Sequence, residues 1–183
     1  MTNSHGQWVD GWLSTATPTK SPNFDQRPAG QAIELVVLHH ISLPANQFTG
    51  DAVSKLFLNE LAESEEPTLR ELATLRVSAH FFIRRDGALI QFVSVDDRAW
   101  HAGVSAWRGR SVCNDFSIGI EIEGNATEPF TAEQYRALDA LLADIAKRHP
   151  AIAVTTHSEI APGRKIDPGP TFDWSRLGVR YAH

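Results

Sequence analysis

The sequence predicts an α/β fold: a single domain with a central mixed β-sheet flanked by helices. Three observations support this prediction. Residues 33–39 form a short run of branched apolar residues, which is typical of a strand buried on both faces. Apolar residues recur at helical spacing in two later segments, and an Asp-Gly pair joins two strand-like segments. With 183 residues, one domain can bury a core without disulfide bonds.

The first half of the chain predicts a strand, a helix and a hairpin, in that order. Residues 33–39 are the first strand, and residues 44–50 are a loop. A helix follows, because an apolar stripe with helical spacing is formed by Val53, Leu56, Phe57 and Leu61. Residues 78–84 and 88–93 are then two strands of a hairpin, since Asp86-Gly87 suits the positive φ angles of a tight turn.

The second half predicts two more strands and a long helix. Residues 117–123 alternate strictly, so a strand would place three isoleucines on one face and Glu121 and Glu123 on the other. Thr131 begins a helix with Gln134 as its capping-box partner, and the helix ends before Pro150. Its apolar stripe consists of Tyr135, Leu138, Leu141, Leu142 and Ile145. Residues 152–156 are a short strand, and residues 174–177 a final helical turn.

The chain shows neither an internal repeat nor a low-complexity block. Its one linker-like stretch is rich in proline, serine and threonine and lies at the N-terminus. We therefore expect an N-terminal arm over residues 1–30 and a folded domain over residues 31–183.

Composition excludes several classes of partner and location. The formal net charge is −5, which is the wrong sign for a nucleic-acid-binding surface. The first thirty residues contain neither a signal core nor a membrane-spanning stretch. The lone Cys113 rules out an internal disulfide and suits a reducing compartment. We expect a cytoplasmic monomer that binds neither nucleic acid nor membrane.

Two histidines and one aspartate predict a metal site. His39 ends the first strand, and His157 ends the last one, so the two imidazoles converge if those strands are neighbours. Asp167 precedes Pro168, which holds it in an extended segment. Two imidazoles and one carboxylate leave a tetrahedral zinc ion one open position for water, the arrangement of a hydrolase. On a strand, His39 and His40 point to opposite faces, so we expect His39 to be the ligand and His40 a packed neighbour or a partner of the ligands.

Hydrolysis of an amide also needs a base and a group that stabilises an oxyanion. Either Glu121 or Glu123 could take the proton of the attacking water and pass it to the leaving amine. Alternation alone does not choose between them. Lys165 leaves an extended chain on the same side as Asp167 and is the candidate for stabilising negative charge on the tetrahedral intermediate.

Six blocks of sequence, in order from about residue 12 to residue 174, resemble the AmpD family. They are VLHHISLP (37–44), RVSAH (76–80), IRRDG (83–87), RAWHAGVS (98–105), CNDFSIGIEIEG (113–124) and RKIDPGP (164–170). The resemblance implies an amidase fold shared with peptidoglycan-recognition proteins. It also implies a cytoplasmic zinc enzyme of peptidoglycan recycling, which cleaves the amide between the lactyl group of 1,6-anhydro-N-acetylmuramic acid and L-alanine in a small muropeptide.

The resemblance also implies residue roles. It makes residues 31–183 a zinc amidase domain, places the zinc ligands at His39, His157 and Asp167, and selects Glu121 over Glu123 as the catalytic glutamate, with Lys165 as the oxyanion residue. Two positions depart from the family's pattern: His40 stands where asparagine is expected, and Val112 near an expected basic residue.

Substrate contacts are predicted less specifically. Trp100, His80 and His101 can line a sugar pocket or pack in the core. Arg76 and Arg164 can pair with carboxylates of the stem peptide or form surface salt bridges. Two other functions remain open: a non-catalytic peptidoglycan-binding module, and a cysteine amidase that uses Cys113 with a histidine. Three filled ligand positions favour the zinc enzyme.

Overall fold

The structure is a computed structural model and describes residues 6–178. Its strands in chain order are β1 (Trp8–Val9), β2 (Trp12–Leu13), β3 (Thr17–Pro18), β4 (Phe24–Gln26), β5 (Leu35–Ile41), β6 (Phe81–Ile83), β7 (Leu89–Gln91), β8 (Asp97–Ala99), β9 (Ala106–Trp107), β10 (Arg110–Ser111), β11 (Ser117–Glu123) and β12 (Ala153–Thr156). The helices are α1 (Ala52–Leu58), α2 (Pro67–Glu71), α3 (Ala132–Arg148) and α4 (His157–Ile160). Turns of 3-10 helix cover Leu61–Glu63, Cys113–Phe116 and Trp174–Arg176.

Six strands form one mixed sheet in the order β12-β5-β11-β6-β7-β3. β5 lies between β12 and β11 and is parallel to both, and β11 is also parallel to β6. The β6–β7 pair is antiparallel. This confirms the predicted class, a central mixed sheet with helices packed against it.

The predicted hairpin is present and closes through the Asp-Gly turn. Gly87 has a φ angle of +84°, a left-handed conformation that glycine adopts at little cost. Arg84 donates its N–H to the carbonyl of Ala88 at 2.9 Å, and Ala88 donates to the Asp86 carboxylate at 2.9 Å. Both strands are shorter than predicted, although the hairpin continues beyond them through the hydrogen bonds of Arg84 with Ala88 and of Phe92 with His80.

Helix α3 covers one face of the sheet. Its capping box is formed as predicted, with Thr131 accepting a hydrogen bond from the backbone of Gln134 and the Gln134 side chain accepting from the backbone of Thr131. The helix ends at Arg148, two residues before Pro150. The buried core on this face joins the helical stripe to alternate strand residues, namely Val36, Leu38, Ile118, Ile120, Ile122, Tyr135, Leu138, Leu141, Leu142 and Ile145.

The opposite face of the sheet packs against α1 and the segment around it. Val53 and Phe57 of α1 contact Phe82 and Phe92 in a second buried cluster, and the rings of Phe57 and Phe92 meet edge to face at 5.1 Å. A third, smaller cluster surrounds Cys113. These clusters leave the carboxyl ends of β5, β11 and β12 open on this face, and the candidate site lies there.

Residues 6–30, the described part of the predicted arm, pack against the domain. β3 pairs with β7 at the edge of the sheet, and β4 pairs with β8. Leu13 is buried in the same core as α3. The boundary at residue 31 stays a prediction, and residues 1–5 and 179–183 lie outside the described part of the chain.

Candidate active site

The parallel pairing of β5 with β12 brings the two predicted histidine ligands together. Leu38 lies opposite Thr156 in this register, so His39 and His157 are each the next residue at the same edge of the sheet. Asp167 follows in the loop after α4, and its backbone carbonyl accepts a hydrogen bond from the N–H of Ser158. All three side chains are buried. Residues separated by 118 and 128 positions in sequence therefore meet at one point.

The donor atoms of these three residues form a tight triangle. The Nδ1 atoms of His39 and His157 are 2.9 Å apart, and the Oδ2 atom of Asp167 lies 3.1 Å and 3.0 Å from them. Ligand atoms around a tetrahedral zinc ion are about 3.4 Å apart, given metal–ligand distances near 2.1 Å. The spacing, the two-histidine, one-carboxylate donor set and the burial thus fit a zinc ion.

Burial and close contact within the triangle shift the pKa values of His39 and Asp167. Burial lowers the pKa of His39 to about 4, despite the opposing hydrogen bond with Asp167. Burial would raise the pKa of Asp167, but its contacts with His157 and His39 outweigh this and hold the pKa well below its usual range. At neutral pH the triangle therefore contains a neutral His39 beside an ionised carboxylate, the protonation states that metal binding requires.

His40 lies outside the triangle. Its register partner on β11 is Ile122, whereas that of His39 is Glu121, so the two adjacent histidines occupy opposite faces of the sheet. The Nδ1 atom of His40 is 3.1 Å from the backbone carbonyl oxygen of Pro168. The structure thus places His40 against the segment that carries Asp167, where it lines the same cleft without joining the donor triangle.

The two glutamates of β11 have different surroundings although they share a face. The Oε2 atom of Glu121 is buried and has no hydrogen-bond partner among the described residues. Burial raises the pKa of Glu121 well above its usual range; Asp167 adds to this shift, and Lys165 opposes it. Glu123 instead accepts a hydrogen bond from the N–H of Arg85 at 2.8 Å and lies 3.8 Å from the guanidinium of Arg84. Of the two, only Glu121 is available to a substrate.

A cleft of about 280 Å³ opens over the triangle. Its polar lining contains Glu121, Lys165 and Asp167, and Trp100 also lines the cleft. An apolar wall, which the sequence did not predict, is formed by Ile41, Phe57, Leu75 and Val77. The cleft therefore offers a carboxylate, an ammonium group and a metal-binding triangle on one side and apolar surface on the other.

The remaining predicted substrate contacts are distributed differently. His80 is fully buried, and its Nδ1 atom accepts a hydrogen bond from the N–H of Gly119, which favours the core alternative for this residue. His101 lines the cleft but also contacts His39. Arg76 is exposed and donates to the carbonyls of Ala73 and Leu75.

Arg164 is exposed, and its guanidinium already has partners on a neighbouring segment. It donates to the carbonyl oxygens of Ala102 and Val104 at 2.7 Å and 2.6 Å. Ala102 also contacts His157, so Arg164 lies immediately behind the donor triangle.

Sequence reasoning missed Arg27, which lies within the predicted arm. Its guanidinium reaches beneath the site and donates to the carbonyls of Val95, Asn114 and Ser117. Burial lowers the pKa of Arg27 to about 10, which leaves it charged. An arginine in a proline-rich segment carries no local signal of such a role, because every partner that the structure gives it is at least 53 residues away.

The chain belongs to the N-acetylmuramoyl-L-alanine amidase family, whose profile matches residues 29–170. Its relatives include the 1,6-anhydro-N-acetylmuramyl-L-alanine amidase AmpD of Citrobacter freundii, which is 49% identical over 170 residues, 92% of this chain and 91% of the relative. AmpD of Escherichia coli strain K12 is 48% identical over 92% of this chain and 93% of its own length. The resemblance drawn from the sequence and the amidase class are thus confirmed.

Solved structures show the same relationship. A crystal structure of a selenomethionine AmpD derivative superposes with a TM-score of 0.90 at 47% identity, covering 93% of this chain and 97% of that one. The amidase AmiD from E. coli, solved with the substrate anhydro-N-acetylmuramic acid-L-Ala-D-γ-Glu-L-Lys, gives a TM-score of 0.59 at 32% identity, over 84% of this chain and 59% of that one. Within residues 6–178, no helix is both long and apolar enough to cross a membrane.

Proposed function

We propose that this protein is a zinc-dependent amidase that hydrolyses the amide between the lactyl group of 1,6-anhydro-N-acetylmuramic acid and L-alanine in peptidoglycan recycling. One observation carries the proposal: the donor triangle of His39, His157 and Asp167 shares a cleft with Glu121, whose buried Oε2 atom has no hydrogen-bond partner within residues 6–178. The similarity to AmpD along nearly the whole chain supports the substrate.

Zinc is the metal that the donor set fits best. Two imidazole nitrogens and one carboxylate oxygen are a frequent ligand set of catalytic zinc sites, which keep a position open for water or substrate. When bound, the ion would supply Lewis acidity, which polarises an amide carbonyl and lowers the pKa of water.

Glu121 is the residue that moves protons in this proposal. Its carboxylate accepts a proton from the attacking water as the water oxygen bonds to the carbonyl carbon. The same carboxyl group then gives that proton to the amide nitrogen, so that the C–N bond breaks and a neutral amine leaves. The buried setting raises the pKa of Glu121, which makes its carboxylate a stronger base toward the attacking water.

Lys165 stabilises the charge that develops in this reaction. Its ammonium group lines the same cleft as Glu121 and Asp167. A positive charge fixed beside the scissile carbonyl lowers the energy of the tetrahedral intermediate more than that of the neutral amide. The role of Lys165 therefore lies in the transition state.

The cleft walls suit a substrate with a sugar ring and a peptide. We propose that Trp100 packs against the sugar, as aromatic faces do against the apolar faces of sugars. Arg76 and Arg164 are exposed, and each is next in sequence to a residue that lines the cleft, so they are our candidates for the carboxylates of the stem peptide. For His80 and His101, the contacts within the protein favour structural roles over sugar contact.

The setting that we propose is the cytoplasm, where a monomer acts on small muropeptides. The net charge of −5 argues against nucleic acid, and the single cysteine suits a reducing compartment. Homologous amidases have been solved in complex with an anhydromuramic tripeptide and an anhydromuramic pentapeptide, which are small muropeptides.

Two other functions are less well supported. A binding module without catalysis does not require a buried carboxylate aimed into the cleft, whereas Glu121 is in place together with all three ligand positions. A thiol nucleophile requires a lowered pKa, whereas burial raises the pKa of Cys113, a fully buried residue in an apolar cluster.

The test is incubation of the purified protein with a defined anhydromuropeptide, with and without a zinc chelator, and identification of the products by mass. We expect release of the intact stem peptide from the sugar, loss of this activity with chelator, and recovery when zinc is added back. Activity that persists after complete removal of metal would contradict the proposed mechanism.

A further inference from the structure

Both histidines of the donor triangle direct Nδ1 at the shared centre and leave Nε2 to the protein. The Nε2 atom of His157 lies 3.1 Å from the carbonyl oxygen of Ala102. The Nε2 atom of His39 lies 2.9 Å from the Nδ1 atom of His101. A neutral imidazole that binds a metal through Nδ1 carries its proton on Nε2 and needs an acceptor there. Adjacent residues, 101 and 102, therefore face the two nitrogens that would carry these protons.

We propose that His101 is a positioning residue, which fixes the tautomer and the orientation of the metal ligand His39 through its Nδ1 acceptor. The inference rests on the proposed metal site and goes beyond it, because His101 touches neither the metal position nor the reacting atoms in this role. A partner of this kind raises the basicity of a ligand histidine and holds its ring in place.

The contacts of His101 make it a one-way acceptor toward His39. Its own Nε2 atom lies 3.1 Å from the Oγ atom of Ser117, a hydroxyl that can accept a hydrogen bond, so the ring can donate to Ser117 while Nδ1 accepts from His39. The backbone around His101 is also fixed, because the N–H groups of His101 and Ala102 both donate to the Oδ1 atom of Asn114, at 3.2 Å and 2.9 Å. In the proposed arrangement, the column of Ser117, His101 and His39 has one proton between each pair of neighbouring side chains.

Gly119 is the residue that makes room for this column. It lies in the middle of the buried strand β11, between Ile118 and Ile120, where glycine weakens a strand by about 0.5–1 kcal/mol relative to alanine. A Cβ atom at this position would be 2.4 Å from Cγ of His101 and 2.7 Å from its Nδ1. The ring of His101 therefore lies directly on the glycine, and any side chain there would push the acceptor away from His39.

The experiment distinguishes the hydrogen-bond acceptor of His101 from the volume that its ring fills. In His101→Asn, the side-chain oxygen can replace Nδ1, whereas in His101→Gln the longer side chain places its amide near the position of Nε2. We expect the zinc affinity, measured by competition with a chromophoric chelator, to fall about 10–100-fold in His101→Gln and His101→Leu and by much less in His101→Asn. Absorption spectra of the cobalt(II)-loaded proteins should report the same order through changes in ligand geometry.

Two milder changes test the rest of the column. Gly119→Ala should weaken zinc binding although it alters no ligand, and Ser117→Ala should weaken it less, since it removes only the far end of the column. The matched control is His149→Asn, the same substitution at a histidine at the end of α3, which should leave zinc affinity unchanged. Thermal unfolding of the metal-free proteins shows that each variant is folded.

The outcomes are distinguishable. Equal losses in His101→Asn and His101→Gln would show that only the ring volume matters and would overturn the inference, as would wild-type affinity in His101→Leu. If the wild-type protein itself binds no zinc, the proposed function fails before the question about His101 arises.

Discussion

The two faces of β5 and β11 are built from alternate residues of the same strands, yet they differ in kind. On the α3 face, the residues of these two strands that lie in the core are apolar and pack against the helix. On the other face, the same strands present His39, Gly119 and Glu121, together with one buried carboxylate oxygen that has no partner. The first face follows the usual rules of stability, whereas the second departs from them at Gly119 and at the two strand residues that the proposed reaction uses, His39 and Glu121.

This difference shows where the protein trades stability for function. A glycine inside a buried strand and an unpartnered buried carboxylate both cost free energy of folding. They are tolerated because the α3 face supplies a large apolar core. We therefore expect substitutions of the strand residues that the proposed reaction uses, His39 and Glu121, to change activity or metal binding far more than stability, and substitutions on the α3 face to do the reverse.

The largest expected effect comes from Glu121. Glu121→Gln should retain zinc and lower kcat by about 10²–10⁴-fold, because it removes the group that accepts and returns the proton. Its matched control, Glu123→Gln, lies two residues further along β11 and should keep most of the activity. It should lose about 1 kcal/mol of stability, because Glu123 holds Arg84 and Arg85. Equal kinetic losses in the two variants would remove the distinction between the glutamates.

Much of this arrangement could be predicted from the sequence. The alternation of residues 117–123 predicted one apolar face and one acidic face, and the Asp86-Gly87 pair predicted the hairpin. The strand ends at His39 and His157 predicted that the two histidines meet, and the structure brings them within hydrogen-bonding distance. These features depend on local periodicity and turn chemistry, which a sequence displays directly.

Other features depend on contacts between distant segments and could not be predicted. The packing of residues 6–30, and above all the insertion of Arg27 beneath β11, has no local signature. The contact of His101 with His39 spans 62 residues and depends on the missing side chain at Gly119. Alternation also could not distinguish Glu121 from Glu123 as the catalytic base. The burial of Glu121 and the hydrogen bond of Glu123 with Arg85 both arise from segments that are distant in sequence.

The second prediction concerns Lys165. Lys165→Met keeps the length of the side chain and removes its charge, so kcat should fall by about 10²–10³-fold, with zinc content unchanged. Lys147→Met is the control, because Lys147 is an exposed residue of α3 whose ammonium pairs with Asp144. A loss confined to KM in Lys165→Met would assign the lysine to substrate binding instead.

The third prediction is a pH dependence that arises on the site face. Burial lowers the pKa of His39 to about 4 and that of His80 and His101 well below the usual value. The unfolded chain, with a histidine pKa near 6.5, therefore binds more protons than the folded chain. The contribution of these histidines to the stability of the metal-free protein is fully present above about pH 6.5 and is lost as the pH falls, by at most about 1.4 kcal/mol per pH unit for each histidine.

Glu121 works against this trend, because its pKa is raised in the folded state. The contribution of Glu121 to stability is present below about pH 4.5, which is the pKa of a glutamate in the unfolded chain. It is lost as the pH rises through the raised pKa of the folded state. Three histidines outweigh one glutamate, so the net free energy of unfolding, measured by urea titration after chelation, should decrease from pH 7 to pH 5. A constant free energy over this range would mean that the three histidines are not buried in the neutral form.

The smallest expected effect tests the α3 face. Thr131→Ala removes the side-chain acceptor of the capping box and the hydrogen bond that Thr131 donates to the carbonyl of Arg85. The free energy of unfolding should fall by about 1 kcal/mol, measured by urea titration, with zinc affinity and kcat unchanged. The result is informative because Gln134, the other member of the box, donates to the carbonyl of Glu123 at the end of β11. If the two faces were coupled through this contact, the loss of the cap at the start of α3 would displace Glu121 and lower kcat. If the faces are independent, the substitution lowers only the free energy of unfolding.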